Sequence, residues 1–267
     1  WNDQLAIVTG ASGGLGASIA KKLIARGCGG VICVDIKNNE WLQKGEGNNY
    51  PRAKSIRCDI SRPEEITQLA NTIKEQFSDR KVSILISNAG IMHGAPLLDL
   101  PEGQFEKTIN VNFTSSYYLL RAFLPDMISA GRGHIVATSS VMAYLGVSRL
   151  SDYVASKHAL TGLMESLRYE LDKIYRKPNI RTSIVVLGQM TTPLFSKYKM
   201  SSIGGFLMPL QDPDSVAEDI VDNIHLNKSS YIYRPYLARL ATIVQAMPQW
   251  IRDLAQKISG ADEAFQN

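Results

Sequence analysis

The chain has 267 residues, 45% hydrophobic and 20% charged, which suits one large α/β domain or two small ones and excludes wholesale disorder. A net charge of +4 is too mild to argue for nucleic acid, yet it is compatible with an anionic cofactor or an anionic membrane surface. Cys28, Cys33 and Cys58 are odd in number and form no CxxC pair, so buried free thiols of a reducing compartment are expected, and no metal site. There is no signal peptide and no apolar run of about 18 residues. The chain opens on Trp1 rather than Met, immediately before a strand, so a processed form is expected and the lack of an N-terminal anchor carries no weight.

Residues 5–8 (LAIV) read as a buried strand running into Thr9-Gly-Ala-Ser-Gly-Gly-Leu-Gly16. Leu15, Ile19, Leu23 and Ile24 then recur at helical spacing, and Gly27 ends the pattern. Residues 31–34 (VICV) form a second strand ending at Asp35. Such a strand, glycine loop, helix and strand lets backbone N–H groups approach a pyrophosphate at the helix N-terminus. Asp35 is placed to accept hydrogen bonds from an adenosine ribose and to repel a 2′-phosphate. The spacing is Gly10-x-x-x-Gly14-x-Gly16 rather than GxGxxG.

Residues 38–53 read as a short helix and a variable loop, and 55–58 as a third strand ending at Asp59. Two readings of Asp59 stand together: contact with an adenine amino group, or capping of the helix after Pro63, a role open also to Ser61. Residues 82–86 form a fourth strand, followed by Asn88-Ala-Gly90. A helix is expected from about Pro101 to Pro125, with Asn112 an odd polar residue in an apolar run. Residues 134–138 form a fifth strand that ends at Ser139 and Ser140, either of which can present a hydroxyl. Tyr153 and Lys157 lie four apart, on one face of the next helix. An ammonium beside a phenol favours the phenolate, so the pair can act as a general base if further positive charge lies close.

Residues 180–187 are a sixth strand, followed by Gly188-Gln-Met-Thr-Thr192, and 231–233 a last one. Residues 194–210 are unusually apolar, and a mobile lid over an apolar substrate is preferred to a core-packing helix pair. The tail carries Tyr236, Leu237, Leu240, Ile243, Val244 and Met247 on one stripe, interrupted by Pro248 and resumed by Trp250, Ile251, Leu254 and Ile258. Packing on the domain or on a dimer partner, or lying on a membrane, remain open for it. Alternation of strand and helix predicts a single doubly wound parallel-sheet Rossmann domain over 1–235, with an amphipathic helical tail over 236–267. Asp35, Asp59, Asn88, Ser140 and Gly188 would share the sheet edge where ligands sit.

Nearly the whole chain resembles the short-chain dehydrogenase/reductase superfamily, on Thr9-Gly10-x-x-x-Gly14-x-Gly16, Asn88-Ala89-Gly90, Asn112, Ser140 and Tyr153-x-x-x-Lys157. Family spacing selects Ser140 over Ser139 and Asn112 over Asn110. Leu187 departs from the usual proline. Within the superfamily the chain is most similar to the membrane-associated branch of retinol and 17-beta-hydroxysteroid dehydrogenases, on residues 34–36, 88–100, 122–127 and 260–262.

The resemblance implies hydride transfer between a nicotinamide and an alcohol carbon. Tyr153 takes the proton, Lys157 lowers the Tyr153 pKa and holds the ribose, Ser140 steadies the substrate oxygen, and Asn112 holds a water. It implies cofactor contacts at Gly10, Ser12, Gly13, Gly14, Leu15, Gly16, Asp35, Ile36, Asp59, Ile60, Asn88, Ala89, Gly90, Tyr153, Lys157, Gly188, Met190, Thr191 and Thr192. Asp35 favours NAD over NADP, with Lys37 as the counter-indication. Substrate contacts are expected from Ser140, Met142, Tyr144, Leu145, Tyr153, Leu194, Phe195 and Phe206, with Val147 and Leu150 in the same wall. The expected substrate is a lipophilic alcohol or ketone such as a steroid, retinoid or long-chain alcohol. A homodimer or homotetramer through helices including 103–124 and 153–171 is implied, as is an intracellular, membrane-associated site (endoplasmic reticulum or lipid droplet) with cytoplasm as the alternative. The competing function is a non-catalytic dinucleotide-binding regulator or scaffold, in which the tyrosine or lysine is usually lost.

Overall fold

The apolar runs become parallel strands buried on both faces, which is why they are continuous rather than alternating. The structure, a computed structural model, describes residues 1–43, 51–195 and 202–263. Its strands are β1 (Leu5–Thr9), β2 (Gly30–Asp35), β3 (Ala53–Arg57), β4 (Val82–Ser87), β5 (Gly133–Ser140), β6 (Ile180–Leu187) and β7 (Ser230–Arg234). They form one sheet in the order β3-β2-β1-β4-β5-β6-β7 with every pairing parallel. The order reverses beside β1, opening a crevice at the strands' C-terminal ends between β1 and β4.

Period-two alternation sends Leu5 and Ile7 into one core and Ala6 and Val8 into the other. The first core is covered by α3 (Pro63–Gln76), α5 (Ser115–Ala130) and α6 (Ser151–Lys173). The second is covered by α1 (Gly14–Ala25) and α8 (Pro213–His225), whose Val216, Ala217, Ile220 and Val221 are fully buried. All three cysteines are buried free thiols.

Two expectations are corrected, and one open question is narrowed. The helix expected from Pro101 to Pro125 is α4 (Gln104–Ile109), a π turn at Asn110–Thr114, and α5, which continues past Pro125 to Ala130. Proline inside a helix costs about 3 kcal/mol. Burial of Leu120, Phe123 and Met127 around it, at ~1.5–3 kcal/mol each, outweighs that.

Neither Asp59 nor Ser61 caps α3. Its N-cap is Arg62, without a side-chain bond. Asp59 Oδ1 instead accepts from Ser61 N at 3.0 Å and Ser61 Oγ at 2.7 Å, closing a local turn. The Asp59 amide donates to Glu65, which reaches back from the first turn of α3.

The tail does not bury its apolar stripe on the domain. A 3-10 turn at Tyr236–Arg239 leads into α9 (Leu240–Gln245) and, after Pro248, α10 (Gln249–Ser259). The small residues Ala238, Ala241 and Ala261 face inward, and Leu237, Leu240, Ile243, Trp250, Leu254 and Ile258 are exposed.

Candidate functional site

The glycine loop is shaped by close approach. Gly10 turns at φ +69°, and a Cβ on Gly16 would stand 2.1 Å from the Gly10 carbonyl oxygen, so no side chain fits there. Gly13 is the N-cap of α1, with no side-chain cap and no acid in the first turn, which leaves the helix's first N–H groups for an anion. Asp35, at the end of β2, accepts from Ser12 N and Lys37 N at 3.0 Å each, one per carboxylate oxygen. Each oxygen keeps a lone pair for a further donor. Ile36 beyond it is exposed, whereas the Ile60 side chain is in the core.

Asn88 and Ala89 close the other side. Thr9 Oγ1 accepts from both of their backbone amides, and Asn88 Nδ2 donates to Thr9 O at 3.0 Å. After β6, Gly188 N donates to Arg234 O at 2.7 Å, and Met190 pairs with Gln211. Thr191 N also donates to Gln211 O. Thr192 leans over the loop, its Cγ2 3.2 Å from where a Gly14 Cβ would stand. Its hydroxyl is buried with no hydrogen-bond partner. A buried hydroxyl without a partner, uncapped helix N–H groups and a carboxylate with spare lone pairs fit a dinucleotide lying across this edge.

At the end of β5 the two serines part. Ser139 Oγ bonds Thr161 Oγ1 at 2.8 Å within the core. Ser140 Oγ donates to Leu187 O at 3.2 Å and accepts from Met142 N at 3.2 Å, and it stands near enough to the Tyr153 hydroxyl to draw its pKa down. The residue that replaces the usual proline therefore places its carbonyl against Ser140.

Tyr153 and Lys157 lie on one face of α6, both almost fully buried, with the Lys157 ammonium 5.5 Å from the Tyr153 ring centre. Lys157 Nζ donates to Thr138 O at 2.8 Å. Burial pushes the Tyr153 phenol up to about 12, against a smaller downward pull from Ser140. Burial also pushes the Lys157 ammonium down to about 8. Within the chain alone, loss of hydration on both side chains dominates, and Tyr153 rests as a neutral acid.

Asn112 sits in the π turn, which explains its place in an apolar run. Its Oδ1 accepts from Ile91 N at 2.8 Å, and its Nδ2 donates to Ile91 O and Ser156 Oγ. A Cβ on Gly90 would lie 3.4 Å from Asn112 Oδ1 and 3.6 Å from Lys157 Nζ. Glycine there keeps open the space between amide and ammonium.

The sequence model of the short chain dehydrogenase family matches residues 4–201. The chain belongs to this family. Members are NAD(P)-binding oxidoreductases, and this short-chain dehydrogenase falls in the branch resembling retinol and hydroxysteroid dehydrogenases. It is 36% identical over 236 residues to epidermal retinol dehydrogenase 2 of Mus musculus, covering 87% of this chain and 74% of that protein. It is 31% identical over 249 residues to short-chain dehydrogenase/reductase family 16C member 6 of Bos taurus, covering 91% and 75%. Among solved structures, a metagenomic short-chain oxidoreductase in complex with NADP is 32% identical, with a TM-score of 0.69 over 86% of this chain and 95% of that one. A short-chain dehydrogenase from Streptomyces avermitilis is 25% identical, with a TM-score of 0.78 over 95% of each chain.

Around this dehydrogenase's buried core residues the expected substrate wall divides. Met142, Leu150 and Phe195 are buried in the same core as Tyr153, with Val147 and Leu194 packed against it. Tyr144 is buried in the opposite core with Leu145 and Tyr233 packed in that core. Phe206, on α7 (Ser202–Leu207), is 83% exposed and joins neither group. Residues 196–201 of the expected lid lie outside the described residues.

Several supporting contacts were not foreseen from sequence. Trp41, in the short helix α2 (Glu40–Gln43), donates its indole N–H to Ala11 O at 2.8 Å and so pins the glycine loop. The Asp262 carboxylate, in the tail, accepts from Ser148 N at 2.7 Å, tying the tail to the segment after Ser140. The signals were present only as a lone tryptophan and a lone acid in polar stretches.

Proposed function

We propose that the chain is an NAD-dependent dehydrogenase interconverting a lipophilic alcohol and its carbonyl, with Asn112, Ser140, Tyr153 and Lys157 as its working residues. The observation that carries this reading is the burial of Tyr153 and Lys157 on one face of α6 with Ser140 at the end of β5 beside them, on the sheet edge that also bears the glycine loop. The glycine loop, Asp35 and Lys157 would hold the nicotinamide cofactor, which would supply a hydride acceptor or donor and, when oxidised, a positive ring charge. Tyr153 then holds the other half of the balance. It receives the alcohol's hydroxyl proton on oxidation and donates it to the carbonyl oxygen on reduction. Ser140 donates to that oxygen and steadies the charge developing on it. Lys157 would hold a ribose hydroxyl, and the space that Gly90 leaves between its ammonium and Asn112 Oδ1 would take a water that carries the proton outward.

Asp35 supports NAD, because its charge faces the place of a 2′-phosphate. Asp35→Asn keeps an acceptor for Ser12 N and removes the charge. The loss of a charged hydrogen bond is worth ~1.5–3 kcal/mol, so the kcat/KM preference for NAD over NADP is expected to fall by roughly 10- to 150-fold. The assay is wild type and variant on a panel of steroids, retinoids and fatty alcohols with both cofactors. A wild type that turns over none of them overturns the function, and an unchanged cofactor ratio in the variant removes Asp35 from the selection. Similarity to retinol dehydrogenases supports a retinoid or steroid over a short alcohol.

The exposed Phe105, Tyr117 and Tyr169, on the two helices expected to associate, support self-association. The exposed stripe of α9 and α10, with Tyr236 and Trp250 along it, supports contact with a membrane surface. No helix among the described residues is long and apolar enough to cross a bilayer. Replacing Trp250 and Leu254 by glutamate, both solvent-exposed, is expected to abolish flotation with phosphatidylcholine/phosphatidylserine vesicles without lowering Tm. Equal flotation of wild type and variant would remove the tail from this role.

A further inference from the structure

A second polar cluster lies one helical turn from the first. Thr108 on α4 is fully buried, and its hydroxyl donates to Asp152 Oδ2 at 2.7 Å. Asp152 is in the first turn of α6, immediately before Tyr153, with its side chain 2% exposed. His93, on the loop that leaves β4, places Nδ1 3.1 Å from the same Asp152 oxygen and 3.0 Å from Thr108 Oγ1. Both contacts of Nδ1 converge on this one corner, and a hydrogen on Nδ1 completes the bond to the Asp152 oxygen.

The arrangement repeats. Thr108 on α4 and Asn112 in the π turn that continues it are four apart, as are Asp152 and Ser156 on α6, and each pair reaches across to the other segment. Asn112 Nδ2 donates to Ser156 Oγ at 3.0 Å, as Thr108 does to Asp152. Both ties are also fastened to the loop after β4, through Ile91 for the first and His93 for the second. The result is two parallel crosspieces between the helix bearing Asn112 and the helix bearing Tyr153 and Lys157.

The first turn of α6 has a particular need for the second crosspiece. Its N-cap is Leu150, which offers no side-chain bond. A carboxylate in a first turn ordinarily serves the helix's free N–H groups. Here it is turned sideways onto α4 and buried, an expensive placement unless its partners stay in register. Tyr153 is the next residue.

We propose that His93, Asp152 and Thr108 are positioning residues. They lock the first turn of α6 against α4 and so hold the Tyr153 hydroxyl at the reacting oxygen. The proposal rests on Tyr153 being the proton-transferring residue. A displacement of about 1 Å at a reacting group costs on the order of 100-fold in rate. His93→Leu removes the donor, and His93→Asn returns an amide N–H near the position of Nδ1.

The test measures kcat, KM, NAD dissociation constant, Tm and the deuterium isotope effect on kcat with carbinol-deuterated alcohol. Hydrogen exchange of the peptide 150–157 is followed alongside. For His93→Leu the expected result is a kcat lower by ~10- to 100-fold, unchanged NAD binding, a larger isotope effect and faster exchange over 150–157. His93→Asn is expected to restore kcat, isotope effect and exchange. Asp152→Ala should reproduce His93→Leu. A lowered Tm with kcat, isotope effect and exchange unchanged would mean the cluster only stabilises the fold, and the proposal falls. If the wild type itself turns over no alcohol, the proposed function fails separately, and the exchange comparison still decides whether the crosspiece holds this turn.

Discussion

Tyr153→Phe is expected to lower kcat by roughly 10²–10⁴-fold, the usual contribution of a positioned proton donor or acceptor, while leaving NAD binding intact. The ring stays, so the core that surrounds it keeps its volume. Only the hydroxyl is lost, and with it the pull that Ser140 exerts on it. The measurement is NADH absorbance for turnover and fluorescence quenching for cofactor binding. Turnover within tenfold of wild type would take Tyr153 out of the chemistry.

The same variant carries a pH signature. The folded phenol sits at about 12, above its ordinary value of 10.0, because burial favours the neutral form. Below pH 10 both folded and unfolded chains hold that proton, and its contribution to stability is fully present. Between pH 10 and 12 the unfolded chain releases it first, so wild-type stability falls as pH rises through this window. Tyr153→Phe removes that loss. Equilibrium urea unfolding at pH 9 and pH 11 should therefore show a smaller difference for the variant than for wild type.

What was legible in the sequence was local or periodic. The strand, glycine loop, helix and Asp35 unit is contiguous, and its physical logic is contained in about thirty residues. Tyr153 and Lys157 were legible because a spacing of four on a helix fixes a shared face. Ser139 and Ser140 were not separable by adjacency alone. Spacing within a resembled family chose between them, and the structure gives the reason, since Thr161 takes the hydroxyl of Ser139.

The π turn at Asn110–Thr114 was illegible, because one inserted residue barely changes the apolar period of a long helix. The tail misled in a different way. Its periodicity was real, but small alanines face inward and the large side chains outward, the reverse of the pattern from which a buried face is read. His93 and Asp152 are 59 positions apart, and no local rule joins residues at that separation.

Lys157→Met is expected to abolish turnover and stabilise the fold at pH 7. The Lys157 ammonium is almost wholly buried, and its one described hydrogen bond is to Thr138 O. Burial brings it from 10.5 to about 8, a displacement worth about 3 kcal/mol against the charged form. Methionine has nearly the same reach and no charge to desolvate. It leaves the Thr138 carbonyl unpaired, a penalty of ~1–3 kcal/mol, so the net gain is on the order of 1 kcal/mol. The sign depends on pH in a checkable way. Below pH 8 the folded and unfolded chains both carry the proton, and wild type bears the full penalty. Between about 8 and 10.5 the folded lysine gives up its proton while the unfolded one keeps it, so wild-type stability rises with pH. The advantage of Lys157→Met should shrink over that window and reverse before its top, because the roughly 3 kcal/mol that wild type regains exceeds a net gain on the order of 1 kcal/mol. Paired unfolding curves at pH 7 and pH 10 measure this. A variant less stable than wild type at pH 7 would show that the buried ammonium supports the fold. The expected outcome is that it is kept at the fold's expense for the chemistry of Tyr153.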